Sequence, residues 1–335
     1  ESGGMLFHSG SPGWLARDGP TRQDSMYDGE LYIPAAAGPW RSSAPLPVGT
    51  GPSGRMTPAT FPAVRVLGED APVSVTSTAR GVYVVDFGSN VAGVCALAVP
   101  SAATVMLRHG EVLERSKGRP DPSRVLFSNL RSAQQNDTLV SDGPVSRWVP
   151  RLTYHGFQFV EVSGYPGALE PGSIRRLRLG AALPDRTNAT FGDEVLQAIH
   201  EGSVWSQRSN LMHVVTDCPQ RDERMGWLGD AALSMRSMLQ HFHMHDWASG
   251  WVDTMVDGMD AEGMLPDVVP HQRFGGAGPG DLSWTAALLG TLHDLWKDGG
   301  DLRPAIAHWG AVVAHMANLR AQYEKAGGLK HIAEH

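Results

Sequence analysis

The hydrophobic periodicity of this 335-residue chain changes at about residue 187, and this change constrains the fold more than any other feature. Between about residues 61 and 180 the apolar residues form short runs, such as FPAVRVLG, GVYVVDFG and FQFVEVSG, separated by Gly, Pro, Asp and Ser. After Thr187 the apolar positions recur at helical spacing, as in Val195, Leu196 and Ile199. The first pattern is typical of strands and the second of amphipathic helices. A β-rich unit followed by an all-α unit is therefore expected.

The chain divides into three predicted segments. Residues 1–60 are rich in Gly, Pro and Ser and carry few periodic apolar positions, so irregular structure is expected there. Residues 61–183 predict an antiparallel β-sandwich domain, because turn residues separate their short apolar runs. Residues 184–335 predict an α-helical domain, which is long enough for about six helices with their loops. The predicted fold class is multidomain α and β.

Composition excludes several classes of partner. The formal net charge is −7, and Lys and Arg are scattered along the chain, so no nucleic-acid partner is expected. No window approaches about 18 consecutive apolar residues, which predicts a soluble protein with no membrane partner. The compartment, cytoplasmic or secreted, stays open. Cys95 and Cys218 lie in segments of different character and are expected to be free thiols.

The stretch TDCPQRDERMGWLGDA, residues 216–231, combines charged side chains with an aromatic ring. Pro219 and Gly226 disfavour a continuous helix, so the stretch is predicted to be a loop. Asp230 lies where the N-cap of the following helix is expected. The chemistry-bearing side chains of the stretch are Asp217, Arg221, Asp222, Glu223, Arg224, Trp227 and Asp230.

Carboxylates, arginines and an aromatic plane in one loop are typical of a sugar-binding site. Carboxylates and guanidiniums hydrogen-bond hydroxyls, and an indole stacks on the apolar face of a sugar ring. A carboxyl near like charges is expected to have a raised pKa, which suits a general acid. The same composition also fits a solvated charged loop with an N-cap aspartate and internal Arg–Asp pairs. Composition alone leaves both interpretations open.

The order of these residues resembles a family signature. DCPQRDERMGWLGD matches Asp-Cys-Pro-x-Arg-Asp-Glu-Arg-x-Gly-Trp-x-Gly-Asp, the signature of the α-L-rhamnosidases of glycoside hydrolase family 78, at every defined position. Other segments also resemble the family: YDGELY, YVVDFGSNVAGVCAL, LRHGEVLE, NLRSAQQNDT, PRLTYHGFQFVEVSGYPG and GMLPDVVP. The resemblance extends from residue 27 to about residue 320. It implies a β-sandwich followed by part of an (α/α)6 barrel.

The resemblance also implies an activity and a set of roles. Glu223 is expected to be the general acid that protonates the glycosidic oxygen of a terminal α-L-rhamnosyl group, on a small glycoside or a polysaccharide. Asp217, Arg221 and Asp230 are expected to hydrogen-bond the rhamnose hydroxyls, and Trp227 to pack on the ring or its methyl group. The family inverts the anomeric configuration, which requires a second carboxylate as base. No cofactor and no metal are implied.

The base and part of the barrel are not found in the sequence. The helical segment resembles only the N-terminal half of the barrel. A toroid of about twelve helices needs about twice as many residues as this segment has. The remaining downstream glutamates, Glu262, Glu324 and Glu334, lie in no segment that resembles the base, so no base is predicted. Half a toroid exposes apolar helix faces, so a second chain or a homo-oligomer is expected to cover them, or the half-barrel closes in another way.

These omissions support a rival hypothesis. In it, the chain is a catalytically incomplete relative that works as a sugar-binding or structural subunit of an assembly.

The sequence leaves two roles open for residues in each of two further segments. In GAGPGDLSW, Pro279 precedes Gly280 and Asp281 where the family usually has an aromatic residue, and Trp284 either replaces that residue or packs between helices. His241 and His245 in HFHMHD are predicted to share one helix face, a spacing that suits either a metal or the surface near a helix C-terminus. The surface interpretation is preferred, because no third ligand accompanies them.

Overall fold

The computed structural model describes residues 13–43, 61–271, 280–325 and 327. Strands occupy its first half and helices its second half, which confirms the predicted fold class. The change from strands to helices falls between Ala181, which ends the last strand, and Glu194, which begins the first helix.

The strands of the β-rich half differ widely in length. They are β1 Leu15–Ala16, β2 Thr21–Ser25, β3 Gly29–Tyr32, β4 Arg41–Ser42, β5 Val64–Asp70, β6 Ser74–Ala79, β7 Val82–Val99, β8 Ala103–Gly110, β9 Val112–Ser116, β10 Arg119–Leu126, β11 Asn136–Ser141, β12 Val145–Trp148, β13 His155–Ser163 and β14 Ile174–Ala181. Two pairs, β1 with β4 and β9 with β10, form small separate sheets. The others form one large sheet.

The large sheet is organised around the 18-residue strand β7. Its strand order is β2-β3-β11-β8-β13-β7-β14-β5, and β6 and β12 also pair with β7. All pairs in it are antiparallel except β3 with β11, which are parallel. Every pair within residues 61–183 is antiparallel, as expected, and the one parallel pair involves β3, which lies outside that segment. Side chains of β7, β8 and β13 form the main β core, including the fully buried Leu97, Leu107 and Phe157.

The expectation of irregular structure over residues 1–60 is wrong for β2 and β3. Strand β3 joins the large sheet beside β11, with Leu31 opposite Thr138. The short polar sequence of β2 carries no apolar alternation, because its side chains are mostly exposed at the sheet edge. Gly29 has a φ of +102°, and a Cβ there would lie 2.0 Å from the Asn136 carbonyl oxygen. Only glycine fits this close approach.

The helical half contains seven helices within the described residues. They are α1 Glu194–Asn210, α2 Leu228–His241, α3 His245–Asp257, α4 Leu282–Thr285, α5 Ala287–Gly299, α6 Arg303–Ala307 and α7 Trp309–Lys325. A single residue separates α4 from α5, and another separates α6 from α7. The described part therefore holds five helical runs, close to the expectation of about six.

Helix termini explain two differences from the sequence-based predictions. Asp230 lies in the first turn of α2, and Trp227 is the N-cap, so the predicted N-cap role of Asp230 is wrong. A carboxylate in the first turn still complements the helix dipole. His241 ends α2 and His245 begins α3, so the two imidazoles do not share a helix face. Phe242, fully buried between these helices, fixes the break.

Two stacked indoles form the centre of the helical core. Trp247 and Trp251 lie with ring centroids 6.0 Å apart and an interplanar angle of 23°. Both belong to α3 and are almost fully buried, against side chains of α2 and α5 such as Met235 and Leu288.

Neither Cys95 nor Cys218 belongs to a disulfide, which confirms that both are free thiols.

The β-rich and helical halves are in direct contact. Helix α1 packs against β7 and β14, and the Ser209 hydroxyl accepts a hydrogen bond from the Ala92 N–H at 3.0 Å. None of the described helices combines the length and the apolar character needed to cross a membrane.

Several helices carry apolar side chains that no described residue covers. In α1, Val195 is 67% exposed and Ile199 is 60% exposed. In α6 and α7, Ile306 is 74% exposed and Trp309 is 62% exposed. A folded protein seldom leaves apolar faces of this kind in water.

The stacked indoles give a test of the helical core. We expect Trp251→Ala to lower the free energy of unfolding by about 3–5 kcal/mol, because it removes a fully buried ring and leaves a cavity. The control Trp309→Ala removes a mostly exposed indole and is expected to cost about 1 kcal/mol or less. Chemical denaturation measures both values. Equal losses in the two variants would contradict this description of the core.

Candidate active site

Residues 216–227 of the TDCPQRDERMGWLGDA stretch lie in the loop between α1 and α2, as predicted, and its last four residues begin α2. Asp217 closes this loop on itself: its N–H donates to the Met225 carbonyl at 3.2 Å, and its Oδ1 accepts from the Met225 N–H at 2.9 Å. The loop lies against the β-rich half, because a Cβ at Gly156 would be only 2.6 Å from Pro219 Cγ. The site is therefore built at the contact between the two halves.

Arg224 attaches the loop to the β-rich half. Arg224 is only 4% exposed, and its backbone φ of +54° lies in the left-handed region. The guanidinium donates to backbone carbonyls of the loop and of the β-rich half and to one side-chain amide: Arg221 O at 3.1 Å, Gln220 O at 2.9 Å, Tyr154 O at 2.6 Å, Gln135 Oε1 at 3.1 Å, and Met26 O. Such a network satisfies the donors of a buried arginine, which would otherwise be costly.

A buried acidic group interacts with Arg224. Asp137 is fully buried, and its Oδ2 lies 3.0 Å from His155 Nε2. Burial raises the pKa of Asp137 to about 6, and the nearby Arg224 guanidinium acts in the opposite direction. Burial also lowers the pKa of His109 to about 3 and that of His155 well below its usual value. Both imidazoles are therefore neutral at neutral pH, and Asp137 is the acidic member of this group.

The structure brings together three of the predicted site residues. Arg221 lies between two carboxylates: its Nη2 is 3.4 Å from Asp217 Oδ2, and its Nε is 2.7 Å from Glu223 Oε2. Asp217 is almost fully buried, whereas the Glu223 side chain is 19% exposed. The acid candidate thus faces solvent while its neighbour is held inside the loop.

The β-rich half contributes further side chains to the same site. Arg131 Nη2 donates to Glu223 Oε2 at 2.8 Å, and Arg131 Nη1 lies 3.7 Å from Asp222 Oδ1. The Ser132 hydroxyl donates to Asp222 Oδ2. From the turn between β2 and β3, the Tyr27 hydroxyl donates to the Glu223 carbonyl at 2.8 Å.

The two central carboxyls have pKa values shifted in opposite directions. Burial raises the pKa of Asp217 above its usual value. Burial acts to raise the pKa of Glu223 as well. The hydrogen bonds and positive charges of Arg221 and Arg131 outweigh burial, so the pKa of Glu223 is lowered. The expectation that like charges raise the pKa of the acid candidate is therefore wrong in this structure. The two arginines dominate because both bond directly to the carboxylate.

Trp227 and Asp230 lie at the start of α2, and neither side chain bonds to this charged cluster. Trp227 is half-buried, and its backbone pairs with Val268. Asp230 is exposed, and its side chain makes no hydrogen bond or ion pair with another described residue. Trp284 lies beside them, because a Cβ at Gly229 would be 2.6 Å from its ring. The contact with α2 agrees with the helix-packing role of Trp284, whose ring is partly exposed.

The other residues considered from the sequence lie elsewhere. Glu324 pairs with Arg320 on the surface of α7, and Glu262 is exposed in the turn after α3. Pro279 and Glu334 fall outside the described residues. A cluster of possible metal ligands, Asp217, Cys218 and Glu223, is already bridged by the Arg221 guanidinium, so we assign no metal to it.

Sequence reasoning missed Arg131, Ser132 and Tyr27 as site residues. Arg131 is 92 residues from Glu223 along the chain, and Tyr27 is 196 residues away. Neither lies near a motif with catalytic residue types. The segments that contain them, NLRSAQQNDT and YDGELY, resemble the family, and this was the one available signal.

Relatives of known name are similar over most of the chain. An α-L-rhamnosidase of Streptomyces avermitilis is 33% identical over 241 residues, which is 71% of this chain and 23% of the relative. The structure of an S. avermitilis α-L-rhamnosidase complexed with L-rhamnose has a TM-score of 0.81 and 28% identity over 94% of this chain and 31% of that one. The α-L-rhamnosidase from Dictyoglumus thermophilum has a TM-score of 0.79 and 28% identity over 90% and 35%.

Two family models match successive parts of the chain. The bacterial α-L-rhamnosidase concanavalin-like domain matches residues 76–180, and the bacterial α-L-rhamnosidase six-hairpin glycosidase domain matches residues 188–335. This chain is a rhamnosidase-like protein of glycoside hydrolase family 78. The rhamnosidase-like chain spans about a third or less of the length of these relatives.

The anchoring of the loop in this rhamnosidase-like chain gives a test at Arg224. We expect Arg224→Lys to lower the free energy of unfolding by about 3 kcal/mol, because an ammonium cannot reach the separate acceptors and leaves some of them unpaired. Arg147→Lys, at an exposed pair with Glu69, serves as the control and should leave the value unchanged. Chemical denaturation gives both values. A small loss in Arg224→Lys would show that the loop is held by other contacts.

Proposed function

We propose that this chain carries the acid-bearing part of an inverting α-L-rhamnosidase site, with Glu223 as the general acid. The observation that supports the proposal is the position of Glu223 in an unbroken family signature, on a solvent-facing loop beside two arginines. The substrate class is a terminal α-L-rhamnosyl group on a small glycoside or a polysaccharide.

The proposed reaction is a single displacement. Protonated Glu223 donates its proton to the glycosidic oxygen as the bond from that oxygen to the anomeric carbon breaks. Water attacks the anomeric carbon from the opposite face and loses its proton to a base, so the configuration inverts. We assign no base among the described residues, because neither Glu262 nor Glu324 contacts the Glu223 cluster.

Four side chains are proposed to hold the sugar. Asp217 and Arg221 offer charged hydrogen-bonding groups next to Glu223, which suits the hydroxyls of the ring being cleaved. Asp230 is an exposed acceptor at the start of α2. Trp227 supplies a partly exposed indole on which an apolar sugar face or methyl group can pack.

An acid with a lowered pKa has to gain its proton in the complex. A bound sugar excludes water from Glu223, and this added burial acts to raise its pKa. Burial is already the largest single influence on the carboxyl in the free site, where the arginines oppose it. Closure of the site by substrate therefore moves Glu223 toward the protonated form that the reaction needs.

A second candidate function is a sugar-binding or structural subunit without catalysis. The lack of an assigned base among the described residues favours it. We also propose that further helices cover the exposed apolar residues of α1, α6 and α7. Both candidate functions keep these covering helices, and they differ in whether the covered site turns over substrate.

The acid assignment gives the first functional test. We expect Glu223→Gln to reduce hydrolysis of an aryl α-L-rhamnoside by about 10²–10⁴-fold, because glutamine cannot donate a proton, while L-rhamnose affinity is retained. Initial rates are measured with the mass of the protein in solution determined in the same buffer. Glu114→Gln is the control, because Glu114 also pairs with one arginine but lies on β9.

The outcome separates the two candidate functions. An undiminished rate in Glu223→Gln would contradict the acid assignment. Turnover that this variant abolishes supports the enzyme, and the measured mass then shows whether one copy or several supply the base. A well-folded wild-type sample without turnover favours the subunit.

Sugar binding gives a test that needs no turnover. We expect Trp227→Ala and Asp230→Ala each to weaken L-rhamnose binding by about tenfold, through loss of a stacking face and of a hydrogen bond. Isothermal titration calorimetry measures the affinities. Trp40→Ala, which removes an exposed indole next to β4, is the matched control and should bind as the wild type does. Unchanged affinity in both site variants would assign the loop a purely structural role.

A further inference from the structure

We propose that Arg131, supplied by the β-rich half, is a positioning residue for Glu223: it fixes one carboxyl oxygen so that the other donates the proton. The inference rests on the proposed role of Glu223 as the acid. The structural basis is that the guanidiniums of Arg221 and Arg131 bond to the same oxygen of Glu223. Arg221 Nε lies 2.7 Å from Oε2, and Arg131 Nη2 lies 2.8 Å from Oε2.

The shared oxygen decides where a proton can reside. An oxygen that accepts two charge-assisted hydrogen bonds is a poor site for a proton, because its lone pairs face positive charge. Within the described residues, Oε1 of Glu223 receives no hydrogen bond. Protonation therefore falls on Oε1, and Oε2 acts as the carbonyl oxygen of the neutral acid. The proton then resides on the oxygen that neither arginine bonds.

Arg131 is itself held in place by the β-rich half. It follows the short 3₁₀ turn Ser128–Leu130 and has a φ of +56°, an unfavourable conformation for a side chain of this kind. Leu130 is fully buried, and the Asn129 amide donates to Glu111 Oε2 at 3.1 Å. These contacts fix the backbone on the N-terminal side of Arg131. The guanidinium is thus presented to Glu223 by a rigid turn.

The stability of the loop does not require this arginine. The Arg131 side chain is 53% exposed, and exposed ion pairs contribute little to stability. The buried Arg224 network and the Ser132 bond to Asp222 already join the loop to the β-rich half. A strained backbone at a residue that adds little stability indicates a role in the site.

The experiment is a carboxyl titration of the full chain labelled with ¹³C-glutamate, followed by nuclear magnetic resonance. We expect the midpoint of Glu223 to move to higher pH in Arg131→Gln, because one of its two bound cations is lost, and to move less in Arg131→Lys, which keeps the charge. Arg147→Gln is the matched control: it should move the midpoint of Glu69 and leave that of Glu223 unchanged. The Glu223 signal is assigned by its loss in Glu223→Gln.

An unchanged or lower Glu223 midpoint in Arg131→Gln would overturn the proposal. The titration requires no turnover, so its failure is distinct from failure of the rhamnosidase assignment. In an active sample, Arg131→Gln is expected to lower kcat by about tenfold with KM nearly unchanged, as loss of acid positioning predicts. A raised KM with unchanged kcat would instead make Arg131 a sugar-binding residue and would also overturn the proposal.

Discussion

The buried guanidinium of Arg224 is the interaction on which the rest of the site depends. It joins the turn before β3, the start of β13 and the signature loop through hydrogen bonds to Met26, Tyr154 and Gln220. A charge at this depth is tolerable only when its donors are paired and a counter-charge is near. The buried carboxyl of Asp137 interacts electrostatically with this guanidinium. The β-rich half is therefore part of the site and not only a neighbouring domain.

This anchoring sets the electrostatics of the exposed side of the loop. With the backbone of residues 220–224 fixed, Glu223 faces outward, and Arg221 and Arg131 converge on one of its oxygens. The free site then holds an ionised carboxylate whose pKa is lowered by these cations. A sugar that displaces water shifts this balance toward the protonated acid. The same loop keeps Asp217 buried, so the two carboxyls, six residues apart in sequence, have distinct environments.

The sequence predicts the local features of this protein better than its long-range contacts. The change of hydrophobic period locates the boundary between strands and helices, and the signature locates the loop and the Asp217–Arg221–Glu223 group. Strand β3 was missed because its partner β11 lies about a hundred residues away and β2 has no apolar alternation. Arg131 was missed because it lies 92 residues from Glu223 along the chain. The lowered pKa of Glu223 follows from Arg131 as well as Arg221, so no rule based on neighbouring residues in the loop could have given its direction.

A crystal structure of the chain soaked with L-rhamnose at neutral pH would show whether the β-rich half orients the acid. We expect the anomeric oxygen of the sugar to lie within hydrogen-bond distance of Glu223 Oε1. We also expect Arg131 and Arg221 to remain bonded to Oε2, and Arg224 to keep its bond to the Tyr154 carbonyl. A sugar bound away from Glu223, or a Glu223 side chain turned away from Arg131, would contradict the claim that the β-rich half orients the acid.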